Sequence, residues 1–158
     1  MSPAHIGAPA PAFSLLNQDG NPVSLDAYQN QWRVVYFYPK ASTPGCTVQA
    51  CGLRDTLGEL RSLRAEVFGI SPDAPTKLKK FAQAQNLPFT LLSDPDHTVA
   101  EAYGVWALKK FMGKTFMGVV RTTFIIDPNG NLASILNDFK TSTHHEVLLS
   151  ALKQVQAA

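Results

Sequence analysis

Cysteine is nearly missing from this chain: Cys46 and Cys51 are the only two in 158 residues. Two thiols fall short of the four ligands that a closed zinc site or an iron–sulfur cluster normally takes. Their spacing of five also differs from the three-residue spacing of a thioredoxin motif. Long apolar runs are absent too. The strongest, Val34-Val35-Tyr36-Phe37-Tyr38, is far short of the ~18 residues of a membrane span, so no membrane partner is expected. Neither sign of charge dominates. A net charge of +2 with 16% charged residues excludes a nucleic-acid binder driven by phosphate contacts. The start, Met1-Ser2-Pro3-Ala4-His5, lacks a basic region followed by an apolar stretch, so the expected place is the cytoplasm, where thiols stay reduced. No repeat, low-complexity segment or linker divides the chain, and residues 1–158 are expected to form one domain. With 45% hydrophobic residues it has material for a substantial core. A lone cysteine pair in such a chain is either catalytic or incidental.

Strands and helices alternate along the sequence. Residues 13–16 and 23–25 flank the turn Asn17-Gln18-Asp19-Gly20-Asn21 and predict an N-terminal hairpin. Residues 33–38 read as a buried central strand that Pro39 ends. Thr43 is a plausible N-cap with Pro44 at the first helical position. Beyond it Cys46, Ala50, Leu53, Leu57 and Leu60 recur at helical spacing and form one apolar stripe. Further strands are expected at 67–70 and 89–92. Helices are expected between them, with Leu78, Phe81 and Ala82 inward, and over 97–103. Residues 106–116, with three lysines and a glycine, look like an exposed excursion. Strands over 119–126 and 132–136 bracket the turn Asp127-Pro128-Asn129-Gly130. Thr143-His144-His145-Glu146 fits a capping box before a last amphipathic helix. Together these predict an α/β domain, a mixed central β-sheet flanked by helices on both faces.

Three features invite a chemical reading. Cys46 falls in the first turn of its helix, where free N–H groups and the positive end of the dipole favour a thiolate. It equally continues the apolar stripe as a small buried hydrophobe, and position alone does not decide. Cys51 lies five residues on. In a regular helix that places the two Cα atoms roughly 8.6 Å apart, beyond the ~7 Å reach of a disulfide. If the two thiols pair, the first turns of the helix must unwind. Gly45 and Gly52 beside them lower the cost of unwinding, or simply fill tight packing sites. Arg121 is the third feature. Alternation through 119–126 sets it on the face of Val119, Thr123 and Ile125, where a guanidinium needs an anion. A thiolate and a surface carboxylate are both open to it.

The stretch from Tyr36 to Asp55, with Pro39, Thr43 and Cys46 in the order Pro, three residues, Thr, two residues, Cys, resembles the active site of a peroxiredoxin, specifically of the bacterioferritin comigratory protein (PrxQ) subfamily. Tyr103-Gly104-Val105-Trp106, the tail Arg121 to Asp127 and residues 144–152 extend the resemblance over nearly the whole chain. It implies a thioredoxin-like fold and a monomeric, cofactor-free, metal-free thiol peroxidase acting on hydrogen peroxide and organic hydroperoxides. Cys46 corresponds to the peroxidatic cysteine, which becomes a sulfenic acid. Cys51 corresponds to the resolving cysteine, which closes an intramolecular disulfide that thioredoxin or a similar dithiol reduces. Thr43 and Arg121 correspond to hydrogen-bond partners of the thiolate and the peroxide oxygens, Pro39 to a residue shielding the pocket. One position departs: the family usually has Glu three residues after the reactive cysteine, and this chain has Gln49.

The remaining residues have plainer readings. His144 and His145 lack partner ligands for a metal, Trp32 and Trp106 are packing or rim residues, and Lys109, Lys110 and Lys114 form a solvated loop. A redox-switched sensor or holdase using the same disulfide without sustained turnover is the rival reading. A disulfide oxidoreductase is disfavoured by the spacing of five.

Overall fold

The computed structural model describes residues 4–158; Met1 to Pro3, which open the stretch searched for a leader, lie outside them. The chain runs through β1 (Ser14–Asn17), β2 (Pro22–Ser24), a 3-10 turn (Leu25–Tyr28), β3 (Trp32–Phe37), α1 (Pro44–Ser62), β4 (Ala65–Ser71) and α2 (Pro75–Gln85). It continues through β5 (Thr90–Ser93), α3 (Thr98–Ala102), β6 (Trp106–Phe111), β7 (Lys114–Val119), β8 (Thr122–Ile126), β9 (Leu132–Leu136) and α4 (His144–Ala157). Seven strands form a mixed sheet in the order β2-β1-β5-β4-β3-β8-β9. Within it β3 pairs parallel with β4 and antiparallel with β8, and β1 and β2 form the expected edge hairpin. Among the described residues no helix is long and apolar enough to cross a membrane.

The central position of β3 explains its unbroken apolar run, because both of its faces are covered. Val34, Tyr36 and Tyr38 point into a core shared with Ala50, Leu53, Leu57 and Leu60 of α1, Leu78 and Phe81 of α2, and Leu148 and Leu152 of α4. Val35 and Phe37 point the other way, against Leu25, Val99, Tyr103, Val119 and Phe124. Helices therefore lie on both faces, three on one side, with α3 and the 3-10 turn on the other. The sheet ladder carries β3 to its end beside the loop before α1: the Tyr38 N–H still donates to the Ile70 carbonyl at 3.0 Å. Pro39 then turns the chain toward α1. Gly69 lets the Tyr36 ring lie on β4, since a Cβ there would stand 2.8 Å from the ring.

Three local expectations need correction. Residues 106–116 are exposed as expected, but they are regular rather than a loop. They belong to the antiparallel hairpin β6–β7, turned at Met112 and Gly113, both at positive φ. The expected strand 119–126 is two strands: β7 ends at Val119, β8 begins at Thr122, and Val120 and Arg121 form the joint. The Thr143 capping box does not form. Its hydroxyl donates to the Lys140 carbonyl at 3.4 Å and makes no cap hydrogen bond.

The start of α4 is pinned by a buried histidine. His144 is fully buried, its Nε2 lies 2.8 Å from Thr123 Oγ1 on β8, and its ring packs on Phe139 and Tyr36. Burial pulls its pKa down to about 3, helped by the charges of Arg121 and His145. The native state thus keeps His144 neutral, whereas the unfolded chain protonates it below its ordinary value of 6.5. Its contribution to stability is fully present above pH 6.5 and is lost as pH falls toward 3. The loss approaches about 1.4 kcal/mol per pH unit. Urea unfolding across that window should show the parent losing about one proton's slope relative to His144→Gln. Identical slopes would contradict the neutral buried form.

Candidate active site

The loop after β3 delivers the candidate thiol to the first turn of α1. Thr43 occupies the N-cap with extended backbone, Pro44 follows at the first helical position, and Cys46 is third. The first helical hydrogen bond runs from the Thr47 N–H to the Thr43 carbonyl at 2.9 Å. The N–H groups of Gly45 and Cys46 precede it, so a cluster of unshared donors and the positive helix end sit at the sulfur. The Thr43 hydroxyl does not cap the helix. It donates to the Lys40 carbonyl at 2.8 Å, so its proton is committed and its oxygen lone pairs are left to accept.

Arg121, in the joint between β7 and β8, reaches the same place from the sheet. Its Nη1 donates to Cys46 Sγ at 3.5 Å and to Gln49 Oε1 at 2.6 Å. Gly45 lies under the guanidinium, where a Cβ would stand 3.5 Å from Nη2. Of the two partners left open for Arg121, the thiol is the one present; among the described residues it makes no ion pair. Cys46 and Gln49 are each 1% exposed and Arg121 is half-buried, so the contact is partly withdrawn from water.

Other titratable groups surround the pair. Tyr36 and Tyr38 approach from β3, and burial is the main cause that raises both phenols, the Cys46 charge adding to it. Lys109 of β6 donates to the Val119 carbonyl at 2.9 Å. Its pKa is lowered by burial and by Arg121, with Cys46 acting the other way.

Cys51 is half-buried, one and a half turns along α1, and its Sγ donates to Gln85 Oε1 of α2 at 3.4 Å. Both cysteines are free, and α1 passes through them unbroken. Arg54 Nη1 donates to the Gln85 carbonyl at 2.7 Å, a second tie between α1 and α2. On the opposite flank Gly52 sits against the His145 ring, where a Cβ would stand 2.6 Å from Nδ1, while Gly45 meets Thr141. Gly52 therefore serves packing, whereas at Gly45 a Cβ would make only ordinary contacts. Pro39 is half-buried between β3 and the Thr43 loop.

Sequence reasoning thus placed Cys46, Arg121 and Thr43 in one site and Cys51 on the same helix. It noted Gln49 only as a departure. The signal for its role was available: residues three apart on a helix share a face, so the side chain reaching Cys46 also reaches position 49. Gln85 and His145, which pack against α1 around Cys51 and Gly52, had no local signal. Among the described residues no group of three or more His, Cys, Asp or Glu is placed to hold a metal ion.

The sequence pattern described as the AhpC/TSA family matches residues 6–135. Peroxiredoxin Bcp of Escherichia coli strain K12 is 54% identical over 154 residues, covering 98% of this chain and 99% of that protein. Among solved structures, PrxQ of Xylella fastidiosa superposes with a TM-score of 0.91 at 29% identity, covering all of both chains. The bacterioferritin comigratory protein of Xanthomonas campestris, described for its alkyl peroxide reduction activity, gives 0.87 at 31% identity over 95% of this chain and 98% of that one. With the fold, the near-complete coverage and a thiol at a helix start facing a guanidinium, the chain belongs to the AhpC/TSA family, in its bacterioferritin comigratory protein (PrxQ) branch of the peroxiredoxins, and is a thiol peroxidase.

Proposed function

We propose that this enzyme is a thioredoxin-dependent atypical 2-Cys peroxiredoxin that reduces hydrogen peroxide and organic hydroperoxides as a cytoplasmic monomer of one domain. The observation that carries the reading is the 3.5 Å contact between Arg121 Nη1 and Cys46 Sγ at the start of α1. The Cys46 thiolate attacks one oxygen of the peroxide. The S–O bond forms as the O–O bond breaks, the sulfur is oxidised to a sulfenic acid, and the leaving oxygen takes one proton to depart as water or an alcohol. Charge grows on that leaving oxygen, so donors already aimed at the site lower the barrier. The Arg121 fork and the N–H groups of Gly45 and Cys46 are those donors, and the Thr43 oxygen accepts the peroxide O–H. Half-buried Pro39 shields the pocket.

Cys51 then attacks the sulfenic sulfur. An S–S bond forms, the S–O bond breaks, and hydroxide leaves with the thiol proton as water. A dithiol such as thioredoxin reduces the disulfide to two thiols and is itself oxidised. A nearby second thiol stops oxidation at its reversible first stage. The cycle requires α1 to unwind over its first turns, because roughly 8.6 Å between Cα atoms five apart in a helix is out of disulfide reach.

The rate of NADPH consumption in a coupled assay with thioredoxin, its reductase and peroxide tests the assignment. Cys46→Ser should fall to background. Cys51→Ser should undergo one stoichiometric oxidation and then stall. Full turnover by either variant would refute its assigned role, and a parent that oxidises once without turnover would favour the switch. For Arg121→Met, the second-order rate constant of the first oxidation should drop by roughly 10²–10³ with the unfolding midpoint little changed. An undiminished rate would remove Arg121 from the chemistry.

A further inference from the structure

The shortest contact of Arg121 is not with the sulfur but with a neutral amide, Gln49 Oε1, at 2.6 Å. A guanidinium offers donors only, so the amide oxygen must be the atom facing it, and the Nε2 end turns away. That Nε2 is buried without a partner among the described residues. Gln49 is 1% exposed and one helical turn from Cys46, on the same face of α1. A buried, unsatisfied donor is a cost, and the chain bears it at the residue that grips Arg121.

We infer that Gln49 is a positioning residue that fixes the Arg121 fork on Cys46 without neutralising it, so that the full guanidinium charge serves the reacting sulfur. The logic is electrostatic. A carboxylate at position 49 would accept the same hydrogen bond, and more strongly. It would also place a negative charge as close to Arg121 as Gln49 Oε1 now is, and one helical turn from the thiolate. In a partly buried site both effects disfavour the ionised sulfur. An uncharged acceptor keeps the geometry and omits the penalty. The other charged or titratable groups around the pair are Tyr36 of β3 and Tyr38 just beyond it, Cys51 of α1, Lys109 of β6 and His144 of α4, with Asp73 behind Tyr38. Asp73 accepts from the Ala41 N–H at 2.7 Å and pairs with Lys77, and among the described residues no carboxylate forms an ion pair with Arg121, so position 49 is where an opposing charge would act most directly.

The inference rests on reading Cys46 as the reacting thiol, and its test separates the two. In a Cys51→Ser background, the rate of Cys46 alkylation by iodoacetamide is followed against pH, a readout that needs no peroxide. Gln49→Glu keeps the acceptor and the shape, so a purely structural role predicts an unmoved profile. The charge role predicts a midpoint about one pH unit higher, with the peroxide rate constant at neutral pH about tenfold lower. Gln49→Met removes the acceptor without adding charge. It should lower the peroxide rate constant about tenfold through loss of the fork's aim, with a midpoint nearer the parent's than that of Gln49→Glu. A Gln49→Glu midpoint at or below the parent's, or a Gln49→Met peroxide rate equal to the parent's, overturns the inference. A parent that alkylates normally yet consumes no peroxide would instead overturn the peroxidase reading.

Discussion

The contact between the Arg121 guanidinium and the sulfur of Cys46 depends on two elements that have no local reason to meet. One is the start of α1, where helix geometry leaves backbone N–H groups unshared. The other is the joint between β7 and β8, where the chain leaves the outlying hairpin and enters the main sheet beside β3. The antiparallel pairing of β3 with β8 brings the joint next to the loop that leads into α1. Much of the surrounding packing, from the Gly69 seat under Tyr36 to buried His144 against Thr123, holds that part of the sheet and α1 in register.

A second constraint opposes the first. The site needs an intact first turn to present Cys46, and the proposed disulfide needs that turn gone. The interactions along α1 divide accordingly. Leu53, Leu57 and Leu60 are buried in the core and anchor the distal turns. Nearer the start Cys46 and Ala50 also join the core, but their side chains are small, and the other ties are separable: Arg121 on Cys46 and Gln49, Cys51 on Gln85, Gly52 against His145. Unwinding the first turns therefore gives up little apolar surface compared with the leucines beyond, so the start of the helix opens locally without global unfolding.

Much of this was legible in the sequence, and for physical reasons. The stripe through Cys46, Ala50, Leu53, Leu57 and Leu60 has helical period, and all five are buried. The run in β3 is apolar because both its faces are covered. The failures share causes as well. Alternation misread 119–126 because it carries no information about where one sheet ends and another begins, and Val120 and Arg121 include no Gly or Pro to mark the joint. The β6–β7 hairpin is buried only at its base, at Val119, and so has no continuous buried face to impose a pattern, with Leu108 and Phe111 each 67% exposed. Both threonines hold the expected N-cap positions, but neither hydroxyl caps its helix. Thr43 and Thr143 turn their hydroxyls back to the carbonyls of Lys40 and Lys140, a local bond that competes with capping. The partnership of Arg121 with Gln49 spans 72 residues, and no local rule encodes it.

Amide hydrogen exchange, compared between the dithiol protein and the protein oxidised by one equivalent of peroxide, addresses the central claim most directly. Protection over residues 44–52 should be lost on oxidation while residues 53–62 of the same helix keep theirs. A disulfide between Cys46 and Cys51 formed with unchanged protection over 44–52 would contradict the account.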